Sequence, residues 1–355
     1  MNSRQRFLAA MRFEKVGRLP LTEFLGFDEA TVRRWRSEGL PAEQDPFEFF
    51  GLEHCHMLPV VLEHFPPFKR EVIEEGEDYV VVVTETGRIE KLKKQGYMVP
   101  QVLKYPVSTP AEWYQYKQGL TFSEQRLPAD WPKTAKCLEE RDYPLYLYMR
   151  GGFYGQPRTL LGDEHLCLAF YDYPEMIDDM LGFWTDFVME CWTPVLKTVD
   201  IDFVIIWEDM SYRGGSMISP SMFRRFITPH LQRFTKFLKD MGVDIILVDT
   251  DGDCTELIPL FIEGGVTGMF PFEVQCGMDV VEVAKQYPDL QIIGGIDKTA
   301  VARGGADIKG EIEKRVVPLL DRGGFIPSFD HLVPPTVSLA NYTEYIDQLR
   351  SALGC

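Results

Sequence analysis

From residue 143 onward the chain repeats one unit: a short apolar run, a polar step, then a longer segment of helical period. The runs are Pro144–Met149, Phe203–Trp207, Asp244–Val248, Val266–Phe270, Leu290–Ile293 and Gly324–Ile326. Segments of helical spacing follow them, among them Pro174–Val199, Pro220–Met241, Thr255–Glu263, Asp279–Gln286 and Asp307–Asp321, with Ser338 opening the last. The runs are almost unbroken in apolar residues, as in Ile245–Ile246–Leu247–Val248. Strands of that kind are buried on both faces, as parallel strands are. Regular alternation of β and α leaves a closed barrel or an open doubly wound sheet. Neither GxGxxG nor GxxxxGK[ST] occurs, so the nucleotide-binding open sheets lose support. A (β/α)8 barrel with insertions accommodates 355 residues as one unit. No interdomain linker or low-complexity stretch divides the chain, so residues 1–355 are expected to form a single domain.

The N-terminal part is less regular. Ser3–Met11 has helical spacing, and Arg18–Leu19–Pro20 leads into an apolar run, Leu21–Leu25, expected as the first strand. A helix is expected over Asp28–Glu38, starting on acid and stopping before Gly39. Residues 70–94 hold three alternating or β-branched runs, Glu71–Glu75, Tyr79–Thr84 and Arg88–Lys93, separated by turn residues. They predict an antiparallel meander, an excursion over one end of the barrel. Proline-rich connections follow, with a helix near Ala111–Gly119.

Charge and composition narrow the function classes. A net charge of −17 argues against nucleic acid or an anionic membrane surface as the main partner, because both are polyanions. The first residues lack the apolar core of a signal peptide, and no run approaches the ~18 apolar residues of a membrane span. Seven cysteines in a chain this long read as reduced thiols of a cytoplasmic protein rather than a disulfide framework.

In α/β barrels function collects where the strands end. The residues there are Arg150, Glu208–Asp209, Asp249–Thr250–Asp251, Glu273, Asp297–Lys298 and Asp330–His331. Acids recur at one level on five successive strands. Any one of them can be a helix cap; as a set they can bind a cation, hold a cationic substrate, or supply general acids and bases. Crowded carboxylates also raise one another's pKa. His331, beside Asp330, is a candidate acid/base group or metal ligand. The aromatic residues near the rim, Phe24, Phe27, Trp207, Phe270, Phe272 and Phe329, either line an apolar pocket or pack the barrel end. His54 and His56 share a strand face, but no nearby His or Cys completes a tetrahedral metal set. Cys254 reads as a buried structural thiol.

Three segments resemble the uroporphyrinogen decarboxylase superfamily. The opening Ser3–Arg4–Gln5–Arg6–Phe7–Leu8–Ala9–Ala10 with Arg18–Leu19–Pro20 looks like its N-terminal signature. Ile218–Ser219–Pro220, with Phe223 and Pro229, is similar to its central segment. Pro327, His331, Pro334 and Asn341 match its closing pattern. The resemblance covers nearly the whole chain and implies a TIM barrel. It leaves two chemistries. True uroporphyrinogen decarboxylases grip tetrapyrrole carboxylates with the arginines of an "RQAGRYLPE" stretch. The corresponding place here, Leu21–Phe27, has no arginine and one acid, Glu23. A polyanionic substrate meeting a carboxylate rim is opposed by several kcal/mol, on the order of magnitude of close like charges.

The other branch transfers methyl groups to or from the cobalt of corrinoid proteins. Several members hold zinc through a His-x-Cys pair and a later Cys. The matching positions here are Asp249, Asp251 and Asp330, with His331 alongside, so the thiolates are absent. Oxygen ligands and one imidazole still suit zinc or a harder cation.

The resemblance therefore implies a methyltransferase that takes a methyl group from a small O-methyl donor, an aryl methyl ether included, and passes it to a partner corrinoid protein. A carboxy-lyase acting on a porphyrinogen or smaller acid is the alternative. In this reading Asp249, Asp251, Glu208, His331 and Asp330 are catalytic. Glu208, Asp249, Asp251 and His331 hold the metal, and Arg150, Trp207, Glu273, Phe24 and Phe329 contact substrate. Family members are often homodimers.

Overall fold

The computed structural model describes residues 1–94 and 100–354. After a short strand β1 (His56–Met57) come four strands, β2 (Glu71–Glu75), β3 (Tyr79–Val83), β4 (Ile89–Lys93) and β5 (Gln101–Lys104). Then β6 (Leu145–Met149) and β7 (Phe203–Trp207) precede a small hairpin, β8 (Ser211–Tyr212) and β9 (Gly215–Ser216). The chain continues with β10 (Ile246–Thr250), β11 (Gly268–Pro271), β12 (Gln291–Ile293) and β13 (Phe325–Ile326). Seven of these form one parallel sheet in the order β1-β6-β7-β10-β11-β12-β13. Helices connect its strands, the longest over Pro174–Leu196. No helix among the described residues is long and apolar enough to cross a membrane.

The sheet is curled. Side chains alternate across a strand, and one alternate set meets in a single cluster: Phe203 and Ile205 of β7, Leu247 of β10, Phe270 of β11, Ile293 of β12 and Ile326 of β13. Cys55, next to β1, packs against the same cluster. A flat sheet keeps its first and last strands apart; here their side chains share one core. Phe7 and Met11, from the helix Ser3–Met11, enter that core as well. Phe7 lies 4.7 Å from Phe203, at the start of β7, and the Ala10 carbonyl accepts from Gly324, just before β13. The helix thus stops the end where the strands begin. Burying two side chains of this size contributes about 1.5–3 kcal/mol each. The other end stays open.

An eighth strand does not form among the described residues. Leu21–Leu25 lies where it was expected but makes no ladder. The Leu21 carbonyl accepts from the Glu53 N–H at 2.7 Å, and the Phe24 N–H donates to Ser328 Oγ at 2.9 Å. Glu23 is fully buried there; its carboxylate accepts from Ser328 Oγ, the Phe329 N–H and the Tyr342 hydroxyl. Side-chain bonds take the place of strand pairing, and the segment makes a single parallel bridge further on, Phe27 to Val333. What the structure shows is a curled seven-stranded parallel sheet in a TIM-like fold.

The excursion is larger than the sequence suggested. Strands β2 to β5 form a four-stranded antiparallel sheet that reaches Lys104 rather than residue 94. Pro100 and Pro106 flank β5 and give that stretch the look of a connection. The helix over Glu29–Glu38 fits its sequence signals: the Asp28 side chain accepts from the Ala30 N–H, and Gly39 ends the helix at φ +118°.

Candidate active site

Strand alternation builds the open end. On β6, Tyr146 and Tyr148 face inward, and Arg150 follows two residues on. Ile245, just before β10, and Leu247 and Asp249 within it continue one inward face, so Asp249 lies inside the strand rather than past it. Register sets it level with Trp207 of β7 and Phe270 of β11. An inner cavity of about 290 Å³ results, with Phe24, Tyr146, Tyr148, Arg150, Asp249 and Phe270 on its wall. The Phe24 and Phe270 rings meet edge to face at 4.9 Å. Cys55 and His54 also reach this cavity.

Asp249 is the unusual group. Burial, then the neighbouring Asp251 and Asp209, push its pKa well above the ordinary carboxyl range, and His331 only partly opposes them. Among the described residues no donor reaches its carboxylate. His331 Nε2 stands 3.5 Å from Asp251 Oδ2, and that contact raises the imidazole pKa against the effect of burial. Asp249, Asp251 and His331 therefore form one electrostatic group. Glu273 and Asp330 stand behind it. Glu273 accepts from the Gly252 N–H at 3.1 Å and so fixes the loop that carries Asp251. Lys298 Nζ lies 3.2 Å from Glu273 and 3.3 Å from Asp330, while Asp330 accepts from the Val274 and Lys298 N–H groups. Asp297 is a helix cap that accepts from the Thr299 N–H.

Glu208 sits apart from this group. It is fully buried, and its two oxygens accept from the Phe153 and Tyr154 N–H groups at 2.8 and 2.7 Å, at the start of the helix Gly155–Leu161. Burial raises its pKa to about 7 despite those bonds. The expected metal set of Glu208, Asp249, Asp251 and His331 is not assembled, because Glu208 spends its oxygens on the 153–154 backbone. Among the described residues no three His, Cys, Asp or Glu side chains are arranged to hold a metal ion. Phe329 also departs from expectation. It is buried against Tyr342 and Tyr345, with ring centroids at 5.8 and 5.1 Å, and belongs to the packing behind the sheet rather than to a pocket wall.

A second, outer cavity of about 460 Å³ adjoins the first. Tyr148 and Arg150 line both. Trp207, Tyr116 and Trp184 supply further rings, and Arg88 reaches in from the start of β4. Arg158 stacks 5.1 Å from the Trp207 ring and binds Asp209 Oδ2 at 2.9 Å. That grip holds Asp209, a non-glycine residue at φ +41°. Tyr146, Tyr148 and Arg158 did not emerge from the sequence as site residues. The alternation of Leu145–Tyr146–Leu147–Tyr148–Met149 was the available signal, since it puts both tyrosines on one face with Arg150.

The uroporphyrinogen decarboxylase (URO-D) family model matches residues 155–352, more than half of the chain. No curated protein matches in sequence. Among solved structures, a methyltransferase from Methanosarcina mazei superposes with a TM-score of 0.65 at 16% identity, over 99% of this chain and 99% of its own. A 3-keto-L-gulonate-6-phosphate decarboxylase from Vibrio cholerae matches over 59% of this chain and 85% of its own at 9% identity, with a TM-score of 0.23. The first likeness concerns the fold; the second is too slight to carry an argument.

Proposed function

Because the chain belongs to the uroporphyrinogen decarboxylase family, we propose that it is an enzyme of the methyltransferase-like branch, moving a methyl group from a small O-methyl donor to the cobalt of a separate corrinoid protein. One observation carries this reading: a carboxyl of strongly raised pKa, Asp249, faces an aromatic-lined cavity at the open end of the sheet. A cobalt(I) nucleophile attacks a methyl carbon readily, but an alkoxide or phenolate leaves poorly. Asp249 in its neutral form donates its proton to the ether oxygen as the carbon–oxygen bond breaks and the carbon–cobalt bond forms. The alcohol or phenol departs, and solvent returns the proton to Asp249. Asp251, held by His331, keeps a charge beside Asp249 that favours the neutral acid.

The family precedent for zinc does not fit these residues, and no step depends on it. The fold likeness to a methyltransferase supports the choice of branch. Replacement of the arginine-rich stretch by Leu21–Phe27 disfavours uroporphyrinogen as substrate. The six described cysteines are unpaired, which suits a reducing, cytoplasmic setting.

The test is methyl transfer from methoxybenzenes and methyl alkyl ethers to free cob(I)alamin, followed by the visible spectrum of the corrinoid. Transfer from at least one ether supports the reading. Release of carbon dioxide from an arylacetic or porphyrinogen acid, with no transfer from any ether, replaces it with the carboxy-lyase alternative.

A further inference from the structure

The outer cavity has no part in the chemistry just described, yet it opens onto the same residues. Its wall combines aromatic rings, Tyr116, Tyr148 and Trp207, with two arginines, Arg88 and Arg150. Arg88 is paired with Glu90 at 3.0 Å, and the neighbouring Arg158 with Asp209. Among the described residues Arg150 has no such partner. Glu63 is the one acid on the wall of this cavity.

We infer that the outer cavity is a subsite for an anionic arm of the substrate, with Arg150 as the residue that selects for it. The inference rests on the proposed reading for which end reacts, since Asp249 assigns the methoxy group to the inner cavity. The donor is then an aromatic methyl ether that carries a carboxylate or similar anion. Its ring lies among Phe24, Phe270 and Tyr146, and its arm passes Tyr148 to reach the guanidinium of Arg150. Tyr148 sits within the electrostatic reach of both Asp249 and Arg150, which places it at the junction. The division is chemically consistent: an anion next to Asp249 would be repelled by Asp251 and Asp209, whereas 460 Å³ of aromatic wall with a free guanidinium receives it. Arg88, from the turn before β4, lines the same wall but is held by Glu90.

The experiment is calorimetric titration of the full chain with 3-methoxybenzoate and with its neutral counterpart 3-methoxybenzyl alcohol, without corrinoid. The wild type is expected to bind the benzoate at least tenfold more tightly, with a preference that shrinks as salt is added. Arg150→Gln should abolish the preference and Arg150→Lys should keep part of it, with circular dichroism unchanged in both; Arg150 is exposed, so the fold does not depend on it. Equal affinity for the two probes, no binding of either, or an undiminished preference in Arg150→Gln overturns the proposal. An anion preference without methyl transfer in the corrinoid assay removes the methyltransferase reading and leaves the subsite standing; transfer without the preference does the reverse.

Discussion

Glu208, just past β7, and Asp249, on the neighbouring β10, both have pKa values raised by burial, yet one is fully enclosed and the other lines a cavity. Glu208 satisfies its oxygens with two backbone N–H groups and lies against the turn that follows β6. A Cβ on Gly152, at φ +42°, would land on the Trp207 carbonyl and the Glu208 carboxyl, so the turn and the acid are fitted to each other. Asp249 has no such donors among the described residues and looks into a cavity instead. Burial alone does not mark a catalytic acid. A buried carboxyl with backbone partners is architecture, and one that faces a cavity among other acids is available for proton transfer.

The pair of amide variants separates the two roles most sharply. Asp249→Asn removes the proposed proton donor but keeps the shape, and methyl transfer should fall by about 10²- to 10⁴-fold. Thermal stability should hold or rise, because the fold disfavours the charged form of this acid. Glu208→Gln should act the other way round. One amide oxygen can still accept, while the NH2 faces a backbone donor, a loss of about 1–3 kcal/mol for a buried unsatisfied group. Its activity should fall only as far as its folded fraction does. Thermal unfolding of both variants beside the transfer assay checks this; a strongly destabilised Asp249→Asn, or an inactive but stable Glu208→Gln, would erase the distinction.

The sequence carried one side of this comparison better than the other. The strands from β6 onward were legible because unbroken apolar runs and helical periods alternate, and the rim acids could be found from where those runs stop. The limit appears at β10. Asp249 and Thr250 look like the polar step after a strand over 244–248, whereas the strand runs from Ile246 to Thr250 and carries Asp249 inside. At 21–25 the apolar run resembled a strand, but the buried Glu23 binds Ser328, Phe329 and Tyr342, some three hundred residues away in sequence. Phe24 and Phe329 were indistinguishable for the same reason. Only the packing of Tyr342 and Tyr345 shows that one ring lines a cavity and the other fills the core.

Glu23 offers a structural acid with a readable pH signature. Burial lifts its pKa from 4.5 to about 7. Between those values the unfolded chain has released the proton and the folded chain still holds it, so this group's contribution to stability declines as pH rises through that window and levels off above about 7. Glu208 titrates over the same window. Denaturant unfolding of wild type and Glu23→Gln at pH 5 and pH 8 should show the variant gaining on the wild type at the higher pH. A constant difference between them would mean that Glu23 is ionised in the folded protein throughout.

The smallest expected effect tests the link between Asp249 and its neighbours. His331 and Asp251 are each more than a third exposed, so their pairing is worth a few tenths of a kcal/mol to about 1 kcal/mol and weakens with salt. The sign is still definite. A histidine whose pKa is raised in the fold stabilises it fully below about 6.5, the unfolded value, and loses that contribution as pH rises through the folded pKa. Proton NMR titration should place His331 above 6.5 in the wild type and lower in Asp251→Asn. A wild-type midpoint at or below 6.5 would mean that Asp251 does not hold its charge against His331. The neutral state of Asp249 would then depend on burial and Asp209 alone, and the contrast with Glu208 would rest on the cavity rather than on the acids around it.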